Sequence, residues 1–163
     1  MVAGSLLAWM TASGAATPPG PGDVPPPGLG HTFEGDDVRL PNYAGKAVIV
    51  TFWASWCTYC LKELPILDAV QSKAGKEQMA VIAVNIEERE VFRRAVRLLR
   101  GSVRFELVSD AQGTAQEAFG VRGIPHMVII GRDGRILNVY HGYSEKSLDA
   151  IVADINKALT PLP

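Results

Sequence analysis

From residue 31 onward, blocks with a strand-like hydrophobic pattern alternate with blocks at helical spacing. Residues 46–53 form a nearly unbroken apolar run rich in Val, Ile and aromatics, the pattern of a strand buried on both faces. Leu61, Leu64, Leu67 and Val70 then recur at helical spacing to about residue 74, where Gly75 predicts a stop and Pro65 a kink. Residues 79–86 read as a second buried strand, and residues 88–100 as a helix ended by Gly101. A short strand follows at 105–108, then a short helix at 114–119 closed by Gly120. Strands at 127–130 and 135–141 are joined through Asp133-Gly134, a strong hairpin signal. The last helix starts with Ser144 as N-cap and carries Leu148, Ile151, Val152, Ile155 and Leu159 on one face.

Strand-helix alternation followed by a hairpin and a final helix predicts parallel strands first and an antiparallel edge later. The expected class is α/β, with a mixed central β-sheet flanked by helices on both faces. In such sheets ligands and chemistry gather beyond the C-terminal ends of the parallel strands.

With 163 residues the chain has room for one domain and a tail. A net charge of −1 gives no electrostatic reason to expect a nucleic acid. Residues 1–17 are apolar and rich in small residues, ending near Ala12-Ser13-Gly14-Ala15-Ala16, which resembles a signal-peptidase site. No Lys or Arg precedes Arg39 and the stretch is short for a membrane span, so it reads as a signal-like segment or an anchor remnant, a possible membrane tether. Residues 18–30, rich in Pro and Gly, are expected to be a disordered or polyproline-like linker, leaving 31–163 as the domain.

Both cysteines, Cys57 and Cys60, follow the first apolar run directly, at a strand-to-helix junction. Unpaired amide groups and the positive end of the helix dipole stabilise a thiolate there, lowering the pKa of the first cysteine below its free value of about 8.5. Cys57 is thus the expected nucleophile, and Cys60, one turn on, can resolve a mixed disulfide. A structural zinc site wants four ligands, and the second half of that pattern is missing. A purely structural crosslink over so short a loop removes little unfolded-state entropy. Reversible dithiol chemistry is the reading that remains, with no cofactor beyond the redox-active disulfide itself.

The run Thr51-Phe52-Trp53-Ala54-Ser55-Trp56-Cys57-Thr58-Tyr59-Cys60-Leu61-Lys62-Glu63-Leu64-Pro65 resembles the active-site block of the thioredoxin superfamily, in its exported TlpA/ResA/DsbE (CcmG) branch. Gly120-Val121-Arg122-Gly123-Ile124-Pro125 is similar to the family's second active-site segment, with its cis-proline, and Gly131-Arg132-Asp133-Gly134-Arg135-Ile136 to the hairpin after it. The resemblance implies a thioredoxin-like fold with a β-α insertion between residues 79 and 100. It implies a thiol-disulfide oxidoreductase, periplasmic or otherwise exported, used as a reductant, for example in cytochrome c maturation. Its clients would be cysteine-containing exported proteins such as apocytochrome c, and a membrane thiol reductase would supply electrons.

By the same resemblance, Ile124 and Pro125 hold the backbone of a target strand, and Trp56 shields the disulfide and offers partners an apolar contact, a buried core tryptophan being the alternative. Glu63 handles the proton of Cys60, with Thr51 at the place where thioredoxin has a buried aspartate; the alternative is an exposed surface carboxylate. Thr58 and Tyr59 tune the thiols. His126 stands where the branch commonly shows threonine, and is expected to tune the dithiol or to complete a copper site with Cys57 and Cys60. That second option makes a metallochaperone-like copper binder the alternative function. Arg89, Arg93, Arg97 and Arg100 are expected on one solvated helix face, opposite Val91, Val96 and Leu98.

Overall fold

The computed structural model describes residues 17–142 and 144–161, so the signal-like reading of residues 1–16 lies outside the described residues. Seven strands form one sheet: β1 Gly28–His31, β2 Asp37–Arg39, β3 Ala47–Trp53, β4 Met79–Asn85, β5 Glu106–Ser109, β6 His126–Ile130 and β7 Ile136–His141. Their spatial order is β2-β1-β5-β4-β3-β6-β7. β3, β4 and β5 run parallel, and β6 and β7 add the antiparallel edge that the hairpin signal predicts. Every residue of β3 and β4 is buried, which explains why these two runs carry no polar alternation.

Four α-helices cover the sheet: α1 Thr58–Ala74, α2 Arg89–Leu99, α3 Thr114–Ala118 and α4 Leu148–Leu159. Alternation along β3 and β6 divides the core. Ile49, Trp53, Met127 and Ile129 meet Cys60, Leu64 and Leu67 of α1, Ala95 of α2 and Ile155 of α4. Val48, Val50, Phe52, Val128 and Ile130 meet Ala115 of α3, Phe119 and Leu29 of β1 on the other face. Pro65 lies inside α1, and the helix continues past it to Gly75. α1 is tied to the loop before β5 by Asp68, whose carboxylate accepts the Arg104 backbone amide at 2.6 Å and its guanidinium at 2.8 Å.

Three expectations are corrected. Residues 18–30 are not a free linker. Gly28–His31 pairs with β2 and, through His31, with Ser109 of β5, and Leu29 is fully buried. The Gly22 amide donates to the Ile136 carbonyl at 2.8 Å, the Ile136 amide donates to the Asp23 carbonyl at 3.0 Å, and Pro18 fills the space a side chain at Gly120 would need. Prolines lack an amide, but their neighbours supply enough donors to dock the segment on sheet edges. Gly30 is required at its place, because it combines a φ of 114° with close approach to the Ser109 carbonyl.

Ser144 does not cap α4. It precedes a 3₁₀ turn, Glu145–Ser147, and it is the Ser144 carbonyl that accepts the Ser147 amide, at 3.1 Å. On α2 the inward face is Phe92, Ala95 and Val96, while Leu98, expected with the apolar side, is 85% exposed. Arg93 and Arg100 of the basic face stack on Phe33, 5.6 and 5.5 Å from its ring centre.

Docking of the N-terminal strand is testable. Leu29→Ala should lower the free energy of unfolding by about 2–4 kcal/mol in urea titration, as for other buried leucines. A true linker residue would leave it unchanged.

Candidate active site

β3 ends at Trp53, and the chain turns through Ala54, Ser55 and Trp56 before α1 begins. Cys57 is the N-cap of α1, with extended backbone, and its Sγ accepts the Cys60 amide at 3.2 Å. The first turn of a helix holds amides without an intrahelical acceptor, and the sulfur satisfies one of them at the positive end of the dipole. Cys57 and Cys60 form a disulfide with Cα atoms 5.2 Å apart. Cys57 is 8% exposed and Cys60 1%, so Cys57 is the more accessible of the pair. Trp56, next to Cys57 in the chain, lies 69% exposed, so it is not a buried core tryptophan. Trp53 is the core tryptophan, and Thr58 and Tyr59 are exposed on the first turn.

The Ile124–Pro125 peptide bond is cis. Pro125 is buried, and its carbonyl accepts the Gly142 amide at 2.7 Å, which fastens the segment to the end of β7. Among the described residues, neither the amide nor the carbonyl of Ile124 has a hydrogen-bond partner. A groove runs from here between α1 and α4, lined by Glu63, Ile66, Pro125, Met127, Tyr140 and Leu148. The wall from Tyr140 and α4 had no signal in the sequence, because it forms only when β7 and α4 close on α1.

Glu63, one turn beyond Cys60, is half-buried and accepts a 2.8 Å hydrogen bond from the hydroxyl of Thr51. The two positions singled out for proton handling are therefore joined. Burial raises the Glu63 carboxyl above its ordinary value of 4.5, and the Thr51 hydrogen bond offsets this in part.

His126 is not beside the dithiol. β6 pairs with β3 so that Thr51 faces Met127 and Phe52 faces His126. Side chains alternate between faces, so Met127 joins the core of Cys57 and Cys60 while His126 stands edge-on to Phe52 across the sheet. Its Nδ1 lies 3.2 Å from Nδ1 of His141. Burial, and next the neighbouring His141, push His126 down to about 4. The expected tuning role and the copper site made of Cys57, Cys60 and His126 are both corrected by this alternation. Among the described residues no group of three His, Cys, Asp or Glu side chains is placed to hold a metal ion.

One residue at the redox end escaped the sequence reading. Glu87, two residues past β4, accepts the Ser55 backbone amide at 2.6 Å and the Ser55 hydroxyl at 2.9 Å. Its one available signal was position, just beyond the C-terminal end of a parallel strand.

Residues 22–139 match the model of the AhpC/TSA family. The chain belongs to that family. Within the similarity of this AhpC/TSA chain, thiol-disulfide oxidoreductase ResA of Geobacillus thermodenitrificans is 30% identical over 116 residues, 70% of this chain and 65% of that protein. Sporulation thiol-disulfide oxidoreductase A of Bacillus subtilis is 29% identical over 133 residues, 80% of this chain and 79% of its own. A Chlorobium tepidum structure described as thiol:disulfide interchange protein DsbE superposes with a TM-score of 0.76 at 29% identity, covering 86% of this chain and 98% of that one. The exposed lipoprotein thioredoxin Etrx1 of Streptococcus pneumoniae does so with a TM-score of 0.63 at 29% identity, covering 80% and 97%. The fold is the thioredoxin-like one expected from the sequence. The chain spans 62–65% of the length of the ResA proteins it matches.

The Glu63 environment predicts a pH dependence. An acid whose value is higher in the folded than in the unfolded state binds protons preferentially when folded, so its contribution to stability falls as pH rises from about 4.5 through the folded value. Glu63→Gln should therefore match wild type near pH 4 and exceed it in stability at about pH 8, measured by urea unfolding. The same stability difference at both pH values would show that Glu63 ionises without cost.

Proposed function

We propose that the protein is a thiol-disulfide oxidoreductase that cycles Cys57 and Cys60 between dithiol and disulfide, acting as a reductant on exported proteins. The observation that carries this reading is Cys57 as the N-cap of α1, its sulfur on the Cys60 amide and Cys60 sealed one turn behind it. In the reductive direction the Cys57 thiolate attacks one sulfur of a target disulfide. That bond breaks, the second target sulfur leaves and takes up a proton, and a mixed disulfide remains. Cys60, its proton passed to Glu63, attacks Cys57, releases the first target sulfur as a thiol and restores the Cys57–Cys60 disulfide. Two electrons pass to the target, and no cofactor is needed beyond the cysteine pair.

Ile124 supports target binding through a backbone amide and carbonyl that stand free for an extended strand. Trp56 supplies an exposed apolar contact, Pro125 shapes the wall, and Thr58 and Tyr59 sit where they modulate the thiols. The ResA likeness supports apocytochrome c as a client and a membrane thiol reductase as electron donor, with the domain periplasmic or otherwise exported and tethered through its N-terminal segment. No helix among the described residues is long and apolar enough to cross a membrane.

Cys60→Ser should accumulate a mixed disulfide with a cysteine-containing target on non-reducing gels, and Cys57→Ser should form none. Equilibration with defined dithiothreitol ratios should place the couple near the thioredoxin value of about −270 mV; a value near about −120 mV would make the protein a disulfide donor, and the lack of any reversible couple would overturn the assignment.

A further inference from the structure

We propose that Glu87 is a positioning residue for thiol-disulfide exchange, holding Cys57 in place through Ser55; this rests on the oxidoreductase reading above. Oε2 of Glu87 accepts from the Ser55 amide at 2.6 Å and from the Asn85 carboxamide at 3.0 Å, and Oε1 accepts from the Ser55 hydroxyl at 2.9 Å. Asn85 is itself anchored by burial and hydrogen bonds. It is fully buried as the last residue of β4, its side-chain oxygen accepts the Glu87 amide at 3.0 Å, and its carbonyl accepts the Asp110 amide at 2.9 Å. A continuous set of bonds thus runs from the middle of the sheet to the turn that delivers Cys57. That turn has few other ties: the Ile86 amide to the Trp53 carbonyl and the Cys57 amide to the Ala54 carbonyl, both 3.1 Å. Ser55 is two residues before Cys57, so release of Ser55 lets the Cys57 sulfur drift from the Cys60 amide that it caps.

An acid in this position acts in two opposed ways. Its bonds fix the cap that stabilises the Cys57 thiolate, and its negative charge disfavours that same thiolate. Substitution separates them. Glu87→Gln keeps the clamp, because the amide oxygen accepts the Ser55 and Asn85 N–H groups and the amide nitrogen donates to the Ser55 hydroxyl, while the charge is removed. Glu87→Ala removes both.

The test is the pH dependence of iodoacetamide alkylation at Cys57 in the reduced full chain, well below the unfolding temperature, together with the rate of reduction of a peptide disulfide. E87A should raise the pH midpoint and slow disulfide reduction by up to about a hundredfold, the scale of a reacting group misplaced by about 1 Å. E87Q should lower the midpoint. Both variants moving the midpoint downward would mean that only the charge matters, and no movement in either would mean a purely structural residue; each result overturns the proposal. Should E87A not be recovered folded, Ser55→Ala decides: it leaves the charge in place and removes one bond, so the midpoint should rise, and an unchanged midpoint overturns the proposal. A wild-type protein without a reversible dithiol couple would instead defeat the oxidoreductase reading, independently of Glu87.

Discussion

The pairing of β3 with β6 is the constraint from which the redox end is built. Seven consecutive buried residues on β3 leave no freedom to slip by one position, because a slip would exchange every side chain between the two cores. With Phe52 opposite His126 and Thr51 opposite Met127, three consequences are fixed together. Thr51 looks toward α1 and meets Glu63, His126 is sent to the opposite face, and Pro125, one residue before β6, arrives alongside the start of α1. The chemistry of the site is thus set by register as much as by the cysteines themselves.

Burial then sorts the polar groups. Glu63 is held by one hydroxyl and otherwise meets apolar groove walls, so its charge is costly. Glu87, bonded to the turn before Cys57, accepts from three donors, the amide and hydroxyl of Ser55 and the carboxamide of Asn85. The two carboxylates are thereby given different environments, the usual basis for different roles. His126 illustrates another outcome: it carries a chemically versatile group into a buried position between Phe52 and His141, where burial, and next His141, push its value down to about 4.

Much of this was legible along the chain, and the failures have physical causes. Residues 46–53 and 79–86 were readable because a strand buried on both faces must be apolar throughout, and the Cys-x-x-Cys pair was readable because its place at a strand end is local. That Thr51 stands where thioredoxin has a buried aspartate was legible through resemblance, but its hydrogen bond to Glu63 was not. His126 was misplaced because sequence adjacency to Pro125 says nothing about which face an alternating strand presents. Glu87 was missed because Ser55 lies 32 residues away and only the parallel pairing of β3 with β4 brings them together. Leu29 was hidden by its setting among prolines and glycines, a composition usually read as disorder. Leu98 shows the limit of helical periodicity, since a residue at roughly the right spacing can still fall outside the buried arc.

That docked Pro-Gly segment has a consequence for the solubility of the fold. Among the described residues β7 is the last strand of the sheet, and an open edge of this kind invites another strand. Gly22 and Asp23 occupy the hydrogen-bonding groups of Ile136 at the start of that edge, and the prolines around them have no amides with which to extend the pairing. The segment closes part of the rim without becoming a new template, so its loss would expose a strand edge and favour self-association between copies of the domain.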